Sequence, residues 1–230
     1  PIFRLSKKGD VIDLYQEKEL KSHKIIENFM IAANTCAAET LSKSGLPVIY
    51  RVHEPPPADR LKKLSKRIFS LGIKGARKNI ALGDFSQILN LAQATQFREV
   101  TSLLILQAMT QAYYTTKEVG HFGLSLKKYV HFTSPIRRYT DLLTHRLLYM
   151  HLGWSNENNF LNDTKSTELI CLHLSAKERN SSMAERQSNH RHIASFMESL
   201  IGRSFIGIVY FSKRNLIFFL LRQLGIQGVC

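Results

Sequence analysis

Hydrophobic residues follow two patterns along the chain, and each pattern predicts a different kind of element. Residues 2–5 and 11–15 have a β-like composition and flank a Lys-Gly-Asp turn, which predicts a hairpin. Apolar residues then recur with helical spacing from residue 26 to residue 41. We expect this helix to be capped by Ser22 and stopped by Gly45. Residues 48–52 predict a short strand, which must end before three consecutive prolines that cannot donate ladder hydrogen bonds.

The middle of the chain predicts further amphipathic helices. One covers residues 60–71, a second begins after Asp84 as its cap, and a third carries apolar positions from residue 97 to residue 108. Residues 124–132 predict a strand. The next helix is expected to start at Ser134 and Pro135, because serine caps well and proline at the first helical position loses no hydrogen bond. It should stop at Gly153.

The last third of the chain predicts a change from helix to strand. A polar linker at residues 155–166 precedes a helix-rich stretch through Met197, and residues 205–210 and 216–221 are β-like. Helices and short strands in this order predict an α+β fold. A length of 230 residues favours one domain with its own core and part of a second.

Charge narrows the choice of partner. There are 32 Lys and Arg against 18 Asp and Glu, so the net charge is +14, and the isoelectric point is near 9.8. Such an excess favours a polyanion, either nucleic acid or an anionic membrane surface. The longest apolar run, residues 216–221, is too short to span a bilayer, and no leader pattern opens the chain. We therefore expect a cytoplasmic protein, and the three widely spaced cysteines favour a reducing compartment.

Positive charge is concentrated between residues 60 and 80, where eight basic residues and no acidic one occur. Lys62, Lys63, Lys66 and Arg67 lie off the apolar face of the predicted helix and could follow an RNA backbone. The same pattern is typical of a solvated helix surface. The two interpretations do not exclude each other.

The segment from residue 131 to residue 141 is the most informative one for chemistry. A helix that begins at Ser134 would offer free backbone N–H groups to a phosphate, and Arg137 in its first turn could add a bidentate contact. Alternatively, Arg137 pairs with Asp141 one turn later. Spacing alone favours this surface pair.

Two glutamates are weaker candidates. Glu27 shares a helical face with Ile31 and Asn34, which suggests an inward polar patch able to accept from a ribose hydroxyl. A solvated position in the first turns of the helix is the more common explanation. Glu185 and Arg186 are adjacent, so their side chains diverge by about 100° on a helix. A solvated charged surface is the more common explanation for them as well.

Motifs for metal-dependent or nucleophilic chemistry are absent from the sequence. The acids form no Asp-x-Asp or Asp-Asp pair that could hold divalent ions, and the histidines form no HExxH motif. There is no Walker loop, no GxGxxG and no GxSxG. The residues by themselves predict a basic α+β chain that is compatible with nucleic acid and has no metal ligands or catalytic set of its own.

Several long motifs nevertheless resemble a known family. They are Gly-His-Phe-Gly-Leu at residues 120–124, Tyr-Val-His-Phe-Thr-Ser-Pro-Ile-Arg-Arg-Tyr-x-Asp-Leu at residues 129–142, Met-Ile-Ala-Ala-Asn at residues 30–34 and Tyr-Arg-Val-His-Glu-Pro-Pro at residues 50–56. In their order along the chain these motifs are similar to the ribonuclease R branch of the ribonuclease II (RNB) family. The resemblance covers most of the chain.

The resemblance implies a processive 3′-to-5′ exoribonuclease that degrades single-stranded RNA to nucleoside monophosphates with magnesium held by aspartates. Those aspartates are expected upstream of this chain. Residues 1–200 would form the C-terminal part of the catalytic domain, with helices packed on a mixed β-sheet. Residues 201–230 would form the first strands of an OB-fold RNA-binding domain. We expect a monomer that binds RNA and no membrane. The isolated chain would be inactive, and the alternative is a catalytically inactive RNA-binding remnant.

The resemblance also assigns roles to residues. Arg137 matches the arginine that grips phosphate near the scissile bond, and Glu27 matches a glutamate near the 3′-terminal nucleotide. Glu185 matches a glutamate that some family members lack, so its neighbour Arg186 is at least as good a candidate. Three further residues of the motif at residues 129–142 are expected to support RNA binding: Ser134, Arg138 and Tyr139. Thr140 departs from the family pattern, which has Pro or Gly at this position.

Overall fold

The computed structural model describes residues 2–15, 20–73, 79–154 and 163–230, and it has an α+β fold as predicted. The chain divides into two compact units. The first unit contains residues 2–15, 56–73, 79–109 and 185–230, and the second contains residues 20–55, 110–154 and 163–184. Among the described helices, none is both long enough and apolar enough to cross a membrane.

Helices provide most of the regular structure. They are α1 (Lys21–Leu41), α2 (Ala58–Ser70), α3 (Phe85–Gln93), α4 (Arg98–Ala108), α5 (Tyr139–His151) and α6 (Thr164–Glu198). The strands are β1 (Ile2–Leu5), β2 (Val11–Tyr15), β3 (Tyr50–Val52), β4 (Tyr113–Thr115), β5 (Gly207–Lys213), β6 (Leu216–Leu221) and β7 (Ile226–Val229). All strand pairs are antiparallel, in the order β1-β2, β3-β4 and β5-β6-β7.

The core of the second unit forms around the β3-β4 pair. Tyr50 is in register with Thr115, and residues of α1, α5 and α6 close over these strands. The cluster includes Leu41, Val52 and Leu143, which are completely buried. This core holds α1 and the start of α5 beside each other, and the candidate site lies there.

The prediction of a strand at residues 124–132 is wrong, because these residues form no regular strand. Residues 122–124 form a short 3-10 turn, and the chain then passes through a turn at Ser125 and a bend at residues 127–128 without forming a continuous ladder. Its apolar residues are buried by packing instead: Val130 lies in the core of the second unit, and the Tyr129 carbonyl accepts a hydrogen bond from the Arg51 N–H. An apolar run alone cannot distinguish these two ways of being buried.

Two predicted helix starts are also wrong. Helix α1 is preceded by Leu20 rather than capped by Ser22, which lies inside the helix. Helix α5 begins at Tyr139, because residues 135–137 form a turn in which the N–H groups of Arg137 and Arg138 both donate to the Ser134 carbonyl. The predicted stop at Gly153 is confirmed, with φ of 70° directly after α5.

The first unit is built on α2, α3 and α4. Helix α4 packs against both α2 and α3, and the apolar faces predicted from spacing are buried, as Leu64, Ile68, Val100 and Leu104 show. Asp84 does precede α3, but its carboxylate accepts a hydrogen bond from the Ala81 N–H at 2.9 Å instead of capping α3.

The terminal strands of the first unit form a second apolar cluster. The predicted N-terminal hairpin and the pair β5-β6 are confirmed, whereas β7 was not predicted. Leu14 of β2 packs with Leu221 and Ile226 of the C-terminal sheet, together with Phe196 of α6. The assignment of residues 201–230 to an OB fold and the boundary at residue 200 stay predictions. The predicted linker lies mostly in residues 155–162, outside the described residues.

Candidate functional site

A cavity of about 480 Å³ opens in the second unit beside α1. One wall is a face of α1, and the opposite wall comes from the segment between residues 124 and 138. Its lining includes Ile26, Glu27, Met30, Ile31 and Asn34 of α1, with Leu124, Tyr129 and Arg138. The structure thus brings two predicted site residues, Glu27 and Arg138, to one cavity.

Asn34 fixes the two walls to each other. Its side chain is only 2% exposed, its Nδ2 donates to the Tyr129 hydroxyl at 2.8 Å, and its Oδ1 accepts from the Phe132 N–H at 2.9 Å. Because both groups of the amide are used by partners almost a hundred residues away, this side chain ties residues 129–132 to α1. The polar patch predicted on this face of α1 is confirmed at Asn34.

Glu27 lies at the edge of the cavity. Its carboxylate is half exposed and forms an ion pair with Lys24, with Oε2 at 2.7 Å from Nζ. The residue is therefore solvated and also lines the cavity, and its contact with a ribose hydroxyl stays a prediction. A carboxylate in this position can accept hydrogen bonds from a hydroxyl-bearing ligand.

Asp141 forms its ion pair with only one of two adjacent arginines, Arg138. Its carboxylate is completely buried and lies 2.8 Å from Arg138 Nε, and its Oδ1 accepts from Arg138 Nη2 at 2.8 Å. The surface pair between Arg137 and Asp141 that spacing favours is wrong. The Arg137 side chain is exposed and has no ion-pair or hydrogen-bond partner in the described part of the chain. Its guanidinium is therefore available to a ligand.

The same carboxylate occupies a backbone N–H group that was expected to bind a phosphate. The Ser134 N–H, which a helix start would offer to a phosphate, donates to Asp141 Oδ1 at 2.7 Å. The tip of the turn that follows is exposed to solvent, since Ile136 is fully exposed next to Arg137. Asp141 thus holds both ends of this turn, and Arg137 projects from it. A role for the Ser134 hydroxyl or for the exposed Tyr139 in binding RNA stays a prediction.

Two histidines, His121 and His131, contact the ring of Tyr129, which lines the cavity, and both are neutral. Burial, followed by the charges of Arg138 and Arg51, lowers the pKa of His131 to about 2, and its Nδ1 lies 2.9 Å from the Tyr114 hydroxyl. Burial and the neighbouring His53 lower the pKa of His121 to about 4. Sequence reasoning did not identify these residues, because their packing against one another depends on chain segments far apart in sequence.

The remaining predicted site residues belong to the first unit. Glu185 and Arg186 are exposed on α6, and Lys62, Lys63, Lys66 and Arg67 lie on α2. Arg67 is held more firmly than the three lysines, since its guanidinium lies over the Phe211 ring at 4.3 Å. Their roles stay predictions.

The acids around the cavity do not fit a divalent metal. In the ranges that the structure describes, no three His, Cys, Asp or Glu side chains are grouped so that they could hold an ion. Glu27 is paired with Lys24, and Asp141 is enclosed by Arg138 and the Ser134 N–H. The described residues thus supply a guanidinium and a cavity of about 480 Å³, but no group of metal ligands.

Comparisons with known proteins identify the family of the chain. The RNB domain family matches residues 2–153. Ribonuclease R of Aquifex aeolicus is 38% identical over 202 residues, covering 87% of this chain and 28% of that protein. Ribonuclease R 1 of Lactococcus lactis is 35% identical over 209 residues, 89% of this chain and 26% of the relative. The structure of Mycoplasma genitalium RNase R with ribose-methylated single-stranded RNA superposes with a TM-score of 0.89 at 27% identity, over 99% of this chain and 36% of that one.

Proposed function

Because this chain belongs to the RNB family, we propose that it is part of a 3′-to-5′ exoribonuclease that degrades single-stranded RNA processively to nucleoside monophosphates. The chain spans only 28% of the length of the Aquifex relative, so the activity of the whole protein is inferred. The proposal is supported by the ribonuclease R relatives and by the similarity to an RNase R whose structure contains single-stranded RNA.

The free guanidinium of Arg137 is the observation that carries the proposal. Asp141 forms an ion pair with Arg138, and Arg137 stays exposed at the tip of the turn. A guanidinium can donate two parallel N–H groups to phosphate oxygens. These oxygens gain negative charge as the scissile phosphate is attacked, so the contact strengthens in the transition state and lowers the barrier.

The cavity beside α1 has a suitable size for the terminal nucleoside. Its volume of about 480 Å³ lies within the usual range for small-ligand sites. Ile26, Met30 and Leu124 offer an apolar surface to a base, and the Glu27 carboxylate can accept from a ribose hydroxyl. Glu27 therefore orients the end of the substrate in this proposal.

Magnesium is the cofactor that we propose, and the described residues do not provide its ligands. The ion would stabilise charge on the scissile phosphate, and the aspartates that hold it are expected in sequence outside this chain. Arg137 and Glu27 contact the substrate and do not bind the ion. Contacts of Glu185 and Arg186 with RNA, a monomeric state and a cytoplasmic location complete the proposal.

The test is Arg137→Ala in the full-length product of the gene that contains this chain. Release of labelled mononucleotide from 3′-end-labelled single-stranded RNA is measured with magnesium, and RNA affinity is measured with calcium. We expect the hydrolysis rate to fall by roughly 10²- to 10³-fold, with affinity almost unchanged. Arg203→Ala, which removes the same charge from an exposed position, is the matched control. Equal rates for Arg137→Ala and the unaltered protein would overturn the proposal.

The same assay tests the alternative, a catalytically inactive RNA-binding remnant. A remnant would bind RNA with strong salt dependence and release no magnesium-dependent product, even as the full-length gene product. Product from the full-length protein excludes the remnant.

A further inference from the structure

A second, smaller groove lies in the first unit between α2 and α4. Its volume is about 200 Å³. Arg60, Lys63 and Arg67 of α2 line one side, at intervals of three and four residues that place them on the same helical face. Gln107 of α4 lies on the other side, above an apolar floor that includes Leu64 and Leu104. Three cations thus converge on one concave site.

The two arginines of the groove are held in place. Arg60 Nη1 donates to the Met109 carbonyl at the end of α4, at 2.8 Å. Arg67 Nη1 lies 3.5 Å from Gln107 Oε1, and its guanidinium is stacked on Phe211 at 4.3 Å. Since each contact uses only one of the five guanidinium N–H groups, most donors stay available. Fixing an arginine before a ligand arrives reduces the entropy that binding must cost.

Positive charge in the groove is little neutralised by the residues that the structure describes. None of the described lining residues carries a carboxylate. Asp59 lies 3.8 Å from Lys63 Nζ, but both side chains are more than two-thirds exposed, so this pair contributes little. A pocket lined by converging cations and an amide matches a single phosphate, because guanidinium and ammonium donors can satisfy its oxygens from several sides.

We propose that the groove formed by Arg60, Lys63, Arg67 and Gln107 binds a phosphate of the single-stranded RNA backbone. The identity of the polyanion rests on the proposed function, whereas the phosphate site rests on the groove alone. Flat basic surfaces suit an array of lipid headgroups, and a concave site of this size favours a chain that presents one phosphate at a time. Lys62 and Lys66 are exposed on α2 but do not line the groove, so the proposal divides the predicted basic cluster into two parts.

The experiment compares RNA binding by the 230-residue chain and by Arg60→Gln/Lys63→Gln. Anisotropy of a fluorescent single-stranded oligonucleotide is measured over a series of salt concentrations. Losing the contacts to this one phosphate should weaken binding roughly tenfold at low salt and make the slope of log K against log salt shallower by about 0.7. Lys7→Gln/Lys8→Gln removes the same charge from the exposed β1-β2 turn and is the matched control. It should change binding less than twofold.

Lys63→Glu is the second variant, because Arg60 also contacts the backbone and its loss could affect folding. Lys63 is exposed, so this variant should fold normally and still weaken binding. Equal affinities for the groove variants and the control pair would overturn the proposal, and so would failure of the chain to bind RNA. A larger loss of binding to phosphatidylserine vesicles than to RNA would also overturn it, in favour of a membrane. The Arg137→Ala assay uses hydrolysis, so its failure is distinguishable from failure here.

Discussion

Arg138 and Asp141 form an ion pair in which the carboxylate is completely buried, with Nε at 2.8 Å from Oδ2. The same carboxylate accepts from the Ser134 N–H at 2.7 Å, so it closes the turn that precedes α5. Arg137 lies inside this turn and takes no part in the pair. The structure therefore uses one arginine to build the loop and leaves its neighbour for a ligand.

Asp141→Ala should be strongly destabilising. Removing a buried carboxylate leaves the Ser134 N–H without its acceptor and Arg138 without its counter-charge, at a cost of about 3–5 kcal/mol in the free energy of unfolding. Urea unfolding followed by circular dichroism measures this change. Asp59→Ala removes an exposed carboxylate and should cost less than about 1 kcal/mol. Similar losses for the two variants would contradict the buried pairing.

A double-mutant cycle should separate the two arginines. Arg138→Ala combined with Asp141→Ala should show a coupling energy above about 1 kcal/mol, because the two side chains share one interaction. Arg137→Ala should leave stability within about 0.5 kcal/mol and show no coupling to Asp141. Coupling between Arg137 and Asp141 would support the pairing that sequence spacing favours, against the structure.

Asn34→Leu should destabilise the second unit through two lost hydrogen bonds. Leucine has a similar volume, so the expected cost of about 2–4 kcal/mol comes from leaving the Tyr129 hydroxyl and the Phe132 N–H unpaired. The free energy of unfolding measures it. Asn180→Leu, at an exposed position on α6, should change stability by less than about 0.5 kcal/mol. An equally small effect at Asn34 would show that its hydrogen bonds do not fix this wall.

Stability should fall in mild acid because of His131. Its pKa of about 2 in the folded chain lies below the unfolded value near 6.5. The unfolded state thus binds the proton more readily, so stability is greatest above about pH 6.5 and is lost as the pH falls toward 2. The slope contributed by this residue reaches at most about 1.4 kcal/mol per pH unit.

His131→Gln should therefore unfold with a weaker pH dependence between about pH 6 and pH 4 than the unaltered chain. Urea unfolding at several pH values measures this, with the exposed His173→Gln as control. Some dependence should remain in His131→Gln, since His121 is shifted in the same direction. An unchanged slope would mean that His131 is not kept neutral by its surroundings.

Local patterns predicted the helices better than their ends. The apolar faces of α2 and α4 follow directly from spacing, because burying one stripe needs only the 3.6-residue period. Ser134 and Pro135 form a good start signal and still do not begin a helix. Asp141 binds the Ser134 N–H and the backbone turns once more before α5, which no local propensity shows. Residues 124–132 differ from prediction for a similar reason, since the Asn34 side chain of α1 and a hydrogen bond from the Arg51 N–H hold them in place of a continuous strand ladder.

The family, the positive charge and most of the helices follow from the amino-acid sequence, because motifs, composition and periodicity are local properties. Which of two adjacent arginines is free depends on the fold, since Arg137 and Arg138 are both within reach of Asp141 along the chain. The fold also decides that Asn34 joins α1 to residues 129–132 and that Arg60, Lys63 and Arg67 meet Gln107 in one groove. These relationships depend on how segments distant along the chain pack against one another, which local sequence patterns do not specify.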